Sequence, residues 1–233
     1  MEGNEPLLLI YLDAYHLGDP LFLRSFAQDL KEHVGPVILV HGSGEEAERA
    51  LEANGLLSDA ERQSPEALRI VERAVRDLNR RIVHELNEAA IAAVGILGTD
   101  RGLLQQNSSG KLLTRNVNWI ADLSFKRGVP VIGSLVSGSD SCDHEPPIGG
   151  TVRALSDGLE PFNCTCILFA TNNKAGLLAD GKLIAQAAWK ELPDDVPIPE
   201  IEAFRPTLET VRVRVTSSRA LRGTGLPAGT DLV

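Results

Sequence analysis

A chain of 233 residues with 43% hydrophobic and 24% charged side chains has an ordinary globular composition and enough apolar mass for a sizeable core. Its formal charge of −9 and pI near 5.1 argue against a binder of nucleic acid or of anionic membranes, which needs a basic face. Three cysteines suggest no disulfide framework, and the apolar run Leu7–Leu12 is too short for a bilayer and lacks a signal peptide's basic start, so a cytoplasmic protein is expected.

Leu7–Leu12 reads as a buried strand. Asp19-Pro20 predicts a helix start, with Phe22, Phe26, Leu30 and Val34 at helical spacing and Gly35 as the stop. Pro36–Val40 is a second strand, closing on His41-Gly42-Ser43-Gly44, and a short helix runs from Glu45 to about Asn54. Ser64-Pro65-Glu66 opens the longest helix, with Leu68, Val71, Val75, Leu78, Ile82 and Leu86 along one face. Ile91–Leu97 forms a strand, a hairpin turn falls near Gln106–Lys111, a helix leads from about Val117 to Gly128, and Val129–Leu135 is a further strand.

Beyond that point the pattern is less regular. Ser137–Pro147 reads as a loop, Thr151–Leu159 as a helix and Thr165–Ala170 as a strand, with Thr171–Lys182 a turn-rich connection. Leu192–Pro206 carries too many prolines for one long helix, Val211–Val215 alternates like a half-exposed strand, and Gly223–Val233 suits a closing hairpin. Strands alternating with helices predict an α/β fold with a mostly parallel sheet.

Particular runs resemble the acetylglutamate kinase branch of the amino acid kinase family. Val37-Ile38-Leu39-Val40-His41-Gly42-Ser43-Gly44 is similar to that family's Val-Val-His-Gly-Gly-Gly strand and turn. Leu78–Leu86 resembles its long helix with an Asn-Lys pair, Ala93–Gly102 its Ala-Val-Gly-Leu-Ser-Gly-Lys-Asp-Gly turn, and Gly128–Ile132 its Gly-Ile-Pro-Val-Ile strand. Ala179–Ile184 and Gly229-Thr230 are weaker echoes. The resemblance implies a three-layer α/β/α sandwich around an open, mostly parallel sheet, the carbamate kinase-like fold. It implies an N-lobe over residues 1–135, on the amino-acid side, and a shortened C-lobe over 136–233, on the nucleotide side. The long helix after Ser64 would carry a homodimer contact, or pair the chain with an active kinase homologue.

The family moves the γ-phosphoryl group of Mg-ATP onto a carboxylate such as that of N-acetyl-L-glutamate, using two lysines and an organising aspartate. In this chain Tyr11 stands nearest the first lysine, Glu200 falls at the second within Ile198-Pro199-Glu200-Ile201-Glu202-Ala203, and Val152 lies near the aspartate. Ala170-Thr171-Asn172 replaces the nucleotide-side Leu-Thr-Asp. His16 is out of register to substitute for the first lysine. The expectation is a chain that has lost phosphoryl transfer, with no assignable catalytic residue, acting as a binding, regulatory or assembly protein. Mg-ATP enters only if the family activity survives through relocated cations, for which Lys174, Lys182 and Arg153 are available.

The amino-acid side is better kept. Gly42, Ser43 and Gly44 present backbone N–H groups at a helix N-terminus to a small carboxylate or acyl-amino acid, or form a plain tight turn. The family's substrate arginine falls at Glu61, one place before Arg62, which is the candidate if the register slips by one; a solvent-facing arginine is the other reading. Asp100 holds a family position that a local loop-former also explains. Cys142, His144, Cys164 and Cys166 are soft ligands that lack the usual zinc spacing, and buried cysteines are common in sheets.

Overall fold

The computed structural model describes residues 5–137, 143–192, 196–208 and 210–233, with the side chains of 206–208 left aside. The chain builds an α/β/α sandwich around an eight-stranded sheet. Its strands are β1 (Leu7–Leu12), β2 (Val37–His41), β3 (Ala93–Leu97), β4 (Val129–Gly133), β5 (Cys164–Phe169), β6 (Gln186–Ala187), β7 (Val213–Thr216) and β8 (Thr230–Leu232). They lie in the order β6-β8-β7-β5-β1-β2-β4-β3, all neighbours parallel except the β7–β8 pair.

The strand residues explain this arrangement. β1 and β2 are unbroken apolar runs, apart from the final His41, and are buried throughout, as strands covered on both faces require. Leu7, Leu9 and Tyr11 point to one helical layer, and Leu8, Ile10 and Leu12 to the other. The first layer is α6 (Asn118–Phe125), α7 (Ile148–Leu159) and α8 (Ile201–Leu208). The second holds α1 (Ala14–Gly18), α2 (Phe22–Lys31) and α5 (Pro65–Glu88), with α3 (Gly44–Ala53) and the short α4 (Asp59–Arg62) beside them. Ser64 caps α5 by accepting from the Ala67 N–H, with Pro65 in the first turn, as its sequence predicts. No helix among the described residues is long and apolar enough to cross a membrane.

Three expectations change. Asp19 does not cap α2; it accepts from the Leu21 N–H two residues on, and α2 begins at Phe22. A five-residue helix, α1, stands before it, capped by Asp13. α2 also stops at Lys31, because His33-Val34 turns extended and pairs with Gly223-Thr224. The tail therefore forms no hairpin with itself. Its last strand, β8, instead enters the main sheet between β7 and β6. The loop after β4 carries a small ladder, Val136-Ser137 against Asp143-His144, while residues 138–142, including Cys142, lie outside the described residues.

The chain crosses from β1 to β2 on one side and later adds β5 on the other, so the order reverses at β1. The carboxyl ends of β1, β2 and β5 thus frame the crevice where open α/β sheets take ligands. One glycine keeps the neighbouring strand ends close. A Cβ at Gly98, just after β3, would press into the Leu135 carbonyl oxygen and the Leu104 side chain. Gly98→Ala is expected to cost about 2–3 kcal/mol, read as a lower urea midpoint with an unchanged slope.

Candidate functional site

Tyr11 ends the buried face of β1, so its ring is held in the core against Phe204 of α8, with centroids 5.1 Å apart. Only the hydroxyl reaches the crevice, where it donates to Glu200 Oε2 in a short hydrogen bond. Glu200 Oε1 accepts from the Ala14 N–H at 3.1 Å, in the first turn of α1. Burial, then the Glu200 charge, push the phenol's pKa far above the ordinary value, so Tyr11 stays a neutral donor. Glu200 adopts a left-handed backbone (φ 55°) immediately before α8, a conformation that costs a non-glycine residue energy and turns its carboxylate toward Tyr11 and Ala14.

A second carboxylate meets the glycine turn. Glu145 Oε1 accepts from the Ser43 N–H at 2.8 Å, where α3 begins. The segment bearing Glu145 is fixed by the Val136–His144 pairing and by Arg76 of α5, which donates to Asp143 at 3.0 Å. Gly42 makes this approach feasible, since any Cβ there would collide with Glu145 Oε1. Burial raises the Glu145 pKa, the Ser43 hydrogen bonds oppose that, and the Glu200 charge raises it further. Together these groups line a cleft of about 370 Å³ with Pro146, Pro147 and Ile148. Among the described residues that line it, none is a lysine or arginine.

Beneath the turn, His41 is completely buried. Its Nδ1–H donates to the Gly42 carbonyl at 2.7 Å, and Nε2 accepts from Asn79 Nδ2 at 3.0 Å. Asn79 also donates to the Val131 carbonyl at 2.9 Å, so one amide ties α5, β2 and β4 together. Burial, aided by the Arg81 charge, lowers the His41 pKa to about 4, so the ring is neutral.

The residues expected from the sequence therefore separate. Gly42, Ser43 and Gly44 line the cleft beside Tyr11 and Glu200. Arg62 lies elsewhere, both terminal guanidinium nitrogens engaged by Glu48, while Glu61 serves the Ser58 capping box. Val152 is sealed in the core on the buried face of α7, and Asp100 accepts from the Leu97 N–H as a loop-former. Lys174 and Lys182 are exposed, Arg153 lies 3.9 Å from Asp157, and none of the three lines the cleft. Cys164 and Cys166 belong to β5, with burial pushing both thiols up, the first to about 12. Among the described residues no cluster of three His, Cys, Asp or Glu is placed to hold a metal. Sequence reasoning missed Glu145, whose contact spans 102 residues and follows a loop with no periodic signal.

The acetylglutamate kinase of Chloroflexus aurantiacus is 28% identical over 210 residues, covering 79% of this chain and 78% of that one. That of Chloroflexus aggregans is 26% identical, covering 95% and 94%. Among solved structures, isopentenyl phosphate kinase superposes with TM-score 0.65 at 15% identity over 97% of this chain and 100% of the other. Aspartate kinase from Synechocystis gives 0.66 at 14% over 97% and 39%, so these two likenesses speak for the fold alone. The amino acid kinase family model matches residues 13–187, most of the chain, and with this sheet order and these relatives it establishes that the protein belongs to the amino acid kinase family.

Proposed function

We propose that this family member has lost ATP-dependent phosphoryl transfer and acts as a binding protein for a small carboxylate of the acyl-amino acid kind, in a regulatory or assembly role. One observation carries the reading. The backbone N–H groups of Ala14 and Ser43, at two helix starts facing the crevice, are already taken by the protein's own carboxylates, Glu200 and Glu145. A triphosphate needs cations against its oxygens. This lining offers carboxylates instead, and a like charge ~4 Å away costs about 4 kcal/mol at an effective dielectric near 20. The residues present do not fit a triphosphate, and no phosphoryl step runs through them.

A carboxylate ligand fits differently, because Glu145 marks where a carboxylate oxygen meets the Ser43 N–H. Glu145 then acts as an internal competitor that a ligand must displace. In an assembly role, α5 supplies the surface for a second copy or for an active kinase homologue.

Calorimetry with N-acetyl-L-glutamate and, separately, with Mg-ATP tests the reading. Binding is expected for the acyl-amino acid alone. Glu145→Ala, which frees the Ser43 N–H, is expected to tighten it about tenfold or more, the worth of a charge-assisted hydrogen bond. Tight Mg-ATP binding with no response to the acyl-amino acid would overturn it.

A further inference from the structure

Outside this cleft, the larger pocket between α2, the end of β5 and the segment after β7 has a volume of about 720 Å³. His16 forms part of its wall, and its setting is built rather than incidental. Asp13, 2% exposed, accepts from the His16 N–H through Oδ1 at 2.9 Å and meets ring Nδ1 through Oδ2 at 2.7 Å. Phe22 and Phe169 pack on the ring, with centroids 5.0 and 5.9 Å away. The side chain is 8% exposed, so it is more than nine-tenths buried, in one fixed orientation. Yet Nε2 has no hydrogen-bond partner among the described residues and is not sealed from solvent. A ring held in one orientation with its outer nitrogen open to the pocket presents one fixed hydrogen-bonding group to whatever enters.

The surrounding groups set the class of that ligand. Arg222 and Ser218 both donate to Asp29, at 2.9 and 2.7 Å, which settles the charge of that buried carboxylate. Arg222 lies 3.6 Å from Glu32 as well, so it is committed to the protein. Arg219 lines the same pocket and, among the described residues, forms no ion pair. Asp19, also in the lining, spends Oδ1 on the Leu21 N–H. Hydroxyls of Ser25 and Thr171 complete the polar wall, and the exposed ring of Tyr15 stands at its edge.

We propose that His16, oriented by Asp13, and Arg219 form a second binding site for a small organic oxyanion, a carboxylate or a phosphate ester. Arg219 supplies the counter-charge. Nε2 of His16 donates to the oxyanion when the ring is protonated, or accepts from a ligand hydroxyl when it is neutral. The site is independent of the Glu145–Glu200 cleft and stands or falls separately from the function proposed for it.

Two probes, succinate and glycerol phosphate, separate the carboxylate and phosphate sources in an NMR titration that follows the ring signals of the five histidines. His16→Gln assigns the signal of interest by its loss. One or both probes are expected to shift the His16 signal, and Arg219→Ala to weaken binding about tenfold, while Glu145→Ala leaves the response unchanged. Arg219 is exposed, so its removal leaves the fold intact; Arg219→Glu is expected to abolish the response. A His16 signal that neither probe moves overturns the proposal. So does a response that Arg219→Ala leaves intact or Glu145→Ala alters.

Discussion

Given Mg-ATP and N-acetyl-L-glutamate, the purified protein is expected to form acyl phosphate at least ~10³-fold more slowly than an acetylglutamate kinase assayed beside it. Loss of one electrostatic donor at a transition state costs ~10²–10³ in rate, and here more than one position has changed. Tyr11 offers a neutral hydroxyl already given to Glu200, and Glu200 adds a carboxylate to a cleft lining that, among the described residues, has no lysine or arginine. Glu200→Lys alone is expected not to recover the rate. It leaves the Tyr11 hydroxyl without its acceptor, sets an ammonium beside the Ala14 N–H, and leaves Glu145 on Ser43. Groups that act as a unit do not repair one at a time. Turnover by the unaltered chain within tenfold of the active relative would show that its cations have been relocated rather than lost.

Much of the framework was legible because parallel strands buried on both faces must be continuous apolar runs. β1, β2 and β4 stand within a few residues of their predicted bounds for that reason. α5 was legible from its cap and proline. Local competition obscured the rest. α1 is five residues long and carries no periodicity; its signal is Asp13 followed three residues later by the N–H it caps, which a reader looking for Asp19-Pro20 passes over. The tail strand β8 is stabilised by a neighbour rather than by its own turn. In the site, Tyr11 and Glu200 could be found because a resemblance fixed where to look, and the structure joins them directly across 189 residues. Arg62 could not be judged from sequence, since its fate depends on Glu48 of a different helix. His16, out of register to substitute for the family's first lysine, lies in the wall of the second pocket and not in the cleft. That placement follows from Asp13, which turns the ring toward α2 and Phe169 instead of toward the cleft.

The network beneath the glycine turn predicts how the fold responds to acid. His41 is neutral and enclosed in the folded state with a pKa near 4, against 6.5 for a free histidine. Between those values the unfolded chain binds the proton and the folded one does not, so stability rises with pH through this window. The stabilisation is fully present above pH 6.5 and is lost as pH falls toward 4, by up to about 3 kcal/mol. Glu145 acts in the opposite sense, because its raised pKa favours the folded state as it protonates, so the measured loss is smaller than the His41 share alone. Urea titrations across this range are expected to give a falling midpoint that flattens in His41→Gln. Asn79→Ala is expected to cost about 1–3 kcal/mol at neutral pH, by leaving His41 Nε2 buried without a donor and removing the amide's tie to the Val131 carbonyl. A His41→Gln variant that keeps the full acid dependence would place its origin elsewhere than in this network.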